Sequence, residues 1–215
     1  MDKGKLIVIS GPAGVGKGTV IRHLLEVGGG DFAFSVSATT RQPRPGEENG
    51  REYFFVSKEE FRQRAERGDM LEWAEYVGNY YGTPREAVEQ VLASGRHVIL
   101  EIEVEGALQV KSRVPDALLI MIGAPDFAII EARLRGRGTN TEEDIQRRLK
   151  RAREELDLVG EFGYLVTNHD GASEAAAAEI MGIVEGGESV FGSSKGKMQI
   201  AEDFDEPLEE LQEYM

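Results

Sequence analysis

The chain has 215 residues, 40% of them hydrophobic and none of them cysteine, so it is long enough for a substantial core and holds neither a disulfide nor a thiolate metal site. Its formal net charge of -14 excludes nucleic acid or an acidic membrane surface as a partner bound by charge alone. The N-terminal residues carry no signal-peptide pattern and no apolar run is long enough to span a membrane, so we expect a cytoplasmic protein with no membrane partner.

The first feature along the chain is a glycine-rich loop between a strand pattern at 6–9 and a helix pattern at 20–25. Glycines allow the main chain to curl so that successive amides face a phosphate chain, and a lysine reaches the β- and γ-phosphates. The predicted phosphate-binding residues are Gly11, Pro12, Ala13, Gly14, Val15, Gly16, Lys17, Gly18 and Thr19. Gly18 replaces the usual magnesium-binding Ser or Thr, so we expect Mg²⁺ to be held mainly by phosphates and water, with no dedicated protein ligand.

A β-rich segment over about residues 35–88 follows this first unit. Residues 32–37 alternate in hydrophobicity and predict a strand that runs into a proline-rich loop. Asn49-Gly50 is a strong hairpin signal, so residues 51–56 are predicted to return beside that strand.

Two helix starts are predicted in the same segment from their capping residues. Ser57 with Glu60 forms a capping box before a short helix. Thr83 is predicted as the N-cap of a second helix, with Pro84 at its first position and Glu86 closing the box.

The rest of the chain alternates strand and helix patterns. Apolar runs predict strands at 97–103, 118–122 and 165–168, and the last helix is predicted at 172–184. The alternation predicts an α/β fold with a three-layer, P-loop-type parallel sheet core, whose ligands lie at the carboxyl ends of the strands.

Two arginine-bearing helix patterns, at 126–137 and 141–153, meet at a glycine turn. Thr141 is predicted to cap the second helix. Such a pair predicts a mobile lid, over about 126–153, that closes on a bound anion. The alternative is that these arginines lie on solvated helix faces.

Several motifs in this order resemble those of guanylate kinases, over about residues 4–185. The segments that carry the resemblance are 11–19, 37–46, 71–73, 79–83, 101–106 and 135–139. The resemblance implies transfer of the γ-phosphoryl group of ATP to GMP and dGMP, with Mg²⁺ as cofactor. It also implies a kinase-like domain at 1–187, in which the segment 35–88 is an inserted GMP-binding lobe.

The resemblance further implies individual roles. The residues implied to act on the transferred phosphoryl group are Lys17, Arg41, Arg137 and Arg148. The residues implied to bind ATP, besides residues 11–19, are Arg133, Arg137 and Asn168. The residues implied to bind GMP are Ser37, Arg41, Arg44, Tyr53, Glu72, Tyr81, Thr83, Glu101 and Glu103.

Physical chemistry agrees with two of these roles. Guanidinium forks and phenolic hydroxyls suit a dianionic phosphate. A carboxylate such as Glu72 accepts both N1–H and the exocyclic amine of guanine, a donor pair that adenine lacks. By its position alone, Glu72 would be a solvent-facing residue on an edge strand, so the assignment depends on the surrounding motif.

Two alternative functions remain open from the sequence. One is a kinase for another small phosphate ester, against which Ser37, Glu72 and Tyr81 favour guanine. The other is a catalytically inactive binding or scaffold domain, against which Lys17 and the lid arginines favour activity.

The last 28 residues, 188–215, differ in composition from the rest. They hold eight Asp or Glu against two Lys, and apolar residues are interspersed among them. The simplest interpretation is a flexible, solvated extension. Their spacing is also similar to the C-terminal arms of certain bacterial antitoxins, which implies a possible protein partner. A fused reading frame is a third possibility.

Overall fold

The computed structural model describes residues 3–136 and 141–186. The strands in these ranges are β1 (Leu6–Ser10), β2 (Phe32–Phe34), β3 (Ser37–Thr39), β4 (Tyr53–Phe55), β5 (Met70–Tyr76), β6 (Asn79–Pro84), β7 (His97–Glu101), β8 (Leu118–Gly123) and β9 (Tyr164–Thr167). The helices are α1 (Lys17–Gly28), α2 (Lys58–Glu66), α3 (Arg85–Ala93), α4 (Val104–Arg113), α5 (Phe127–Gly136), α6 (Glu142–Asp157) and α7 (Ser173–Val184).

The central sheet has five strands in the order β2-β7-β1-β8-β9, and all its pairings are parallel. Alternate residues of β1 enter two different hydrophobic clusters, because side chains alternate between the faces of a strand. Ile7 and Ile9 pack in a cluster with α1, α5, α6 and α7, whereas Leu6 and Val8 pack with α3 and α4. Helices therefore cover both faces, and the predicted three-layer α/β fold is confirmed.

A second, four-stranded sheet has the order β4-β3-β6-β5. The pairs β3–β6 and β5–β6 are antiparallel, and β3–β4 is parallel. Phe61 of α2 is buried beneath this sheet, with its ring 5.4 Å from that of Tyr80 and 6.4 Å from that of Trp73. This small core holds α2 against β5 and β6.

Two predictions about the second sheet are wrong. Residues 32–37 form no single strand: β2 ends at Phe34 in the central sheet, and β3 begins at Ser37 in the second sheet. Asn49-Gly50 lies in a loop and not in a hairpin. A hairpin joins antiparallel strands, whereas β3 and β4 pair in parallel. The Asn49 side chain accepts a hydrogen bond from the Phe55 amide at 2.8 Å, so this turn is stabilised locally without antiparallel strands.

The predicted cap at Thr83 is also wrong. Thr83 lies in β6, and α3 begins after Pro84 without a side-chain cap. The caps at Ser57 and Thr141 are confirmed, since their hydroxyls accept the amides of Glu60 at 3.1 Å and Asp144 at 3.2 Å. None of the helices within residues 3–136 and 141–186 has the length and apolar character needed to cross a membrane.

Candidate functional site

Residues 11–19, the phosphate loop, connect the carboxyl end of β1 to the start of α1. Three of their glycines have positive φ: Gly11 at 140°, Gly14 at 95° and Gly16 at 89°. A Cβ at Gly11 would lie 2.2 Å from the carbonyl oxygen of Ile122, so larger residues are excluded there. Because α1 has no side-chain cap, the first amides of this helix are available to an anion.

A cavity of about 490 Å³ opens over the phosphate loop, with Lys17, Thr19 and Glu101 in its lining. The Lys17 ammonium donates to the carbonyl oxygens of Gly11 at 2.5 Å and Pro12 at 3.1 Å. Partial desolvation raises the pKa of Glu101, while the charge of Lys17 opposes that rise. The cavity thus combines main-chain amides, an ammonium group and a carboxylate at the carboxyl ends of β1 and β7.

Arg133 and Asn168 contact the main chain of the phosphate loop. The buried Asn168 amide donates to the carbonyl of Val15 at 2.7 Å. Arg133 donates to the carbonyls of Val15 at 3.1 Å and Gly14 at 3.3 Å, and it pairs with Asp170 at 2.5 Å. Both residues therefore hold the loop in shape; no sequence pattern pointed to Asp170.

Glu72 of β5 is buried against Thr83 of β6 and Gly106 of α4, and we call these three residues the Glu72 pocket. Glu72 is 6% exposed, and the Thr83 hydroxyl donates to its carboxylate at 2.7 Å. Burial raises the pKa of Glu72, whereas hydrogen bonds from Thr83 and the charge of Arg113 oppose the rise. A buried acceptor of this kind suits a ligand with neighbouring N–H donors.

Tyr53 of β4 and Tyr81 of β6 lie next to Arg41, which is in the loop after β3. The Arg41 guanidinium lies 5.4 Å from the centre of the Tyr53 ring, and the two tyrosine rings are 6.1 Å apart. Glu47 forms two 2.9 Å hydrogen bonds with Arg41 and also accepts the Arg44 amide at 2.7 Å. These bonds lower the pKa of Glu47, a residue that sequence reasoning missed.

The remaining predicted residues are placed differently. Ser37 lies beside Tyr53 in the parallel β3–β4 pair. Glu103 precedes α4 and pairs with Arg151 of α6 at 3.1 Å. Arg148 lies on the exposed face of α6, and Arg137 lies outside the described residues. The structure therefore brings three groups together: Lys17 with Glu101, Glu72 with Thr83, and Arg41 with the two tyrosines.

Arg151 and Glu155 form a charged pair that no motif indicated. Arg151 donates to Glu155 at 2.9 Å as well as to Glu103. Burial and the nearby Glu103 carboxylate raise the pKa of Glu155, and Arg151 and Lys17 oppose the rise. Helix α6 is thereby connected to the carboxylates at the start of α4.

Comparison with known proteins gives a consistent result. The guanylate kinase family model matches residues 3–183. A guanylate kinase of Streptococcus thermophilus (strain CNRZ 1066) is 53% identical over 169 residues, which cover 79% of this chain and 81% of the relative. One from Synechococcus sp. (strain CC9902) is 54% identical over 167 residues, covering 78% and 89%. The crystal structure of guanylate kinase from Anaplasma phagocytophilum matches with a TM-score of 0.65 at 31% identity, covering 86% and 87%.

Proposed function

Because the chain belongs to the guanylate kinase family and is an ATP:GMP phosphotransferase, we propose that Glu72 recognises the guanine of GMP while Lys17 stabilises the transferred phosphoryl group. The observation that carries the proposal is the burial of Glu72 beside Thr83, on a different sheet from the phosphate loop. One site for phosphate and a separate site for a base suit a reaction between two nucleotides.

The chemistry of Glu72 supports guanine over adenine. Its carboxylate accepts N1–H and the exocyclic amine together, and Thr83 fixes one carboxylate oxygen from the other side. Adenine has no donor pair on that edge and leaves the buried carboxylate unpaired. A site of this kind discriminates by up to about 10⁴- to 10⁵-fold. Glu103, which pairs with Arg151, and Ser37 complete the base side of the proposal.

The phosphate of GMP binds, in this proposal, to Arg41, Arg44, Tyr53 and Tyr81. In this structure both terminal nitrogens of the Arg41 guanidinium donate to the Glu47 carboxylate. A phosphate presents two oxygens with a similar spacing and more charge, so it replaces the Glu47 carboxylate when GMP binds. The segment 35–88 is accordingly the GMP-binding lobe within a domain at 1–187.

Phosphoryl transfer requires alignment and charge stabilisation more than covalent chemistry from the protein. Lys17 supplies charge from the phosphate loop, and Arg137 and Arg148 approach from the lid segment 126–153 on closure. Arg133 and Asn168 serve the ATP side by holding the loop carbonyls. Closure excludes water and so prevents loss of the phosphoryl group to hydrolysis.

The donor set fits a magnesium ion carried in with ATP. Thr19 and Glu101 supply oxygen atoms to the same cavity as Lys17, and Mg²⁺ prefers oxygen ligands while retaining waters. Within residues 3–136 and 141–186, no group of three or more His, Cys, Asp or Glu side chains is placed to hold a metal ion. Thr19 and Glu101 would help to hold the ion through its waters, and the ion would neutralise negative charge on the nucleotide phosphates.

An acceptor panel tests the proposal. Purified full-length protein is given ATP, Mg²⁺ and one of GMP, dGMP, AMP or UMP, and ADP formation is followed with Lys17→Ala as control. We expect turnover with GMP and dGMP alone, lost in the variant. Equal turnover with AMP or UMP would overturn the role of Glu72, and turnover by Lys17→Ala would overturn that of Lys17.

Residues 188–215 lie outside the described residues. Their acidic composition, with apolar residues between the charges, supports a protein partner with a basic surface. The test compares pull-down of basic toxin nucleases by the full chain and by a chain that ends at residue 187. Capture by the full chain alone supports the partner, and equal capture contradicts it.

A further inference from the structure

Glu72 lies next to a β-bulge in an edge strand. Met70 of β5 pairs with Pro84, but Glu72 pairs with Thr83, so the register shifts at Leu71. Strand β5 is the last strand of the second sheet, and within the described residues its outer main-chain groups face no further strand. A bulge redirects the side chain beside it, so whatever fixes this bulge also fixes the direction of Glu72.

Helix α4 satisfies the main-chain groups on both sides of Glu72. Arg113 donates from one nitrogen to the carbonyls of Met70 at 3.0 Å and Leu71 at 2.8 Å. Gln109 accepts the Trp73 amide at 3.2 Å and donates to the Trp73 carbonyl at 3.1 Å. The residues that precede and follow Glu72 are thus bonded to one helix of the central layers.

Gly106 completes the contact. A Cβ at this position would lie 3.0 Å from the Glu72 carboxylate oxygen Oε2. Gly106, Gln109 and Arg113 follow one another at intervals of three and four residues, which places them on one face of α4. We call this set the α4 clamp.

We propose that the α4 clamp positions the Glu72 carboxylate for the guanine base and thereby determines base specificity. The inference rests on the proposed role of Glu72. Arg113 and Gln109 act through the main chain of β5 and are positioning residues, whereas Glu72 touches the base.

The charge of Arg113 supports the same arrangement. It opposes the burial that raises the pKa of Glu72 and so favours the ionised form that accepts two donors. The groups that act on this carboxylate from its neighbours are the hydroxyl and amide of Thr83 on β6 and the guanidinium of Arg113 on α4. Removal of Arg113 therefore affects both the direction and the ionisation of Glu72.

The test measures kcat/KM for GMP and for inosine monophosphate, which lacks the exocyclic amine, in Arg113→Met, Arg113→Lys and Gln109→Leu. Misplacing a recognition group by about 1 Å costs up to about 100-fold. We expect Arg113→Met to lower kcat/KM for GMP by about 10- to 100-fold, to reduce the GMP preference, and to leave KM for ATP within about twofold. The acid limb of its pH profile moves to higher pH. Arg113→Lys keeps the charge and leaves that limb in place.

Arg96→Met is the matched control, because Arg96 also donates to two main-chain carbonyls, those of Gly30 and Phe32, far along the chain from Glu72. We expect it to lower the melting temperature without changing the preference for GMP. Glu72→Gln separates the two proposals. If Glu72→Gln leaves the preference for GMP unchanged, the proposed role of Glu72 fails. If Glu72→Gln abolishes that preference while Arg113→Met, folded by circular dichroism, behaves like Arg96→Met, the α4 clamp is overturned.

Discussion

The phosphate loop and the Glu72 pocket present different groups to a ligand. The loop uses main chain, curled by glycines at positive φ, and its one charged side chain bonds back to loop carbonyls. The Glu72 pocket uses the single carboxylate of a residue that is 6% exposed, and a hydroxyl from the neighbouring strand donates to it. The loop is also one continuous segment, whereas the Glu72 pocket joins residues from β5, β6 and α4.

On the proposed assignments, the phosphate loop contributes affinity for any nucleotide, whereas the Glu72 pocket distinguishes one base from another. Every nucleotide carries phosphate, so a site of amides and one ammonium group binds without identifying the base. A buried carboxylate is costly unless its partners match it, so a wrong base is penalised. Damage to the loop should slow the reaction with every acceptor, and damage to the Glu72 pocket should change which acceptor is used.

The largest effect is expected at Lys17. Lys17→Met removes the ammonium that we propose stabilises charge in transfer, so kcat should fall by about 10²- to 10³-fold for GMP and dGMP alike. Affinity for GMP, measured by equilibrium titration, should stay the same. A variant that loses GMP affinity instead would contradict the separation of the two sites.

Asn168 tests the loop's support without touching its charge. Asn168→Ala removes one of two donors to the buried Val15 carbonyl, which keeps its bond from Arg133, so the free energy of unfolding should fall by about 0.5–1.5 kcal/mol and KM for ATP should rise. Urea titration and initial rates measure the two effects. Ser173→Ala is the control, since it removes only the 3.2 Å bond from the Ser173 hydroxyl to Asn168. Equal losses in both variants would contradict a specific role for the Asn168–Val15 bond.

The Glu72 pocket should show its cost as a pH dependence of stability. Burial raises the pKa of Glu72 above its ordinary value of 4.5, so the folded state favours the protonated form. That contribution is complete below pH 4.5 and is lost as the pH rises through the higher folded-state pKa. The unfolding free energy of the unmodified protein minus that of Glu72→Gln should therefore fall as the pH increases. A difference that rises with pH would contradict the burial argument.

The smallest expected effect is at the turn between β5 and β6. Val77 has a φ of 48° and is 80% exposed, and Gly78 follows it at a φ of 71°. A β-branched residue is strained there, and Asn-Gly is the preferred pair for a two-residue turn of this type. Val77→Asn should raise the free energy of unfolding by about 1 kcal/mol and leave all kinetic constants unchanged. A loss of stability, or no change, in Val77→Asn would contradict strain at this turn.

The same contrast explains which structural features were predictable. The phosphate loop, the alternation of strands and helices that builds the central sheet, and the caps at Ser57 and Thr141 depend on signals within a few residues, and each was placed correctly. In these segments the local signal agrees with the packing around it.

The Glu72 pocket depends on contacts that local signals do not contain. Thr83 has the chemistry of an N-cap, but its hydroxyl bonds to Glu72 in the neighbouring strand. Asn49-Gly50 has the chemistry of a hairpin turn, but β3 pairs with β6 and β4 instead. In the sequence, Arg113 and Gln109 have the character of solvent-exposed helix residues. In the structure they hydrogen-bond to the main chain of β5. In each case the conformation is determined by packing between segments that are far apart in the sequence.

One measurement tests the central claim most directly: equilibrium titration of GMP and, separately, of ATP into the unmodified protein and Glu72→Gln. Hydrogen bonds to a charged group contribute about 1.5–3 kcal/mol, so the variant should bind GMP about 10- to 150-fold more weakly. Its affinity for ATP should be unchanged. Unchanged GMP affinity in the variant, or equal losses for the two nucleotides, would contradict the assignment of guanine recognition to Glu72.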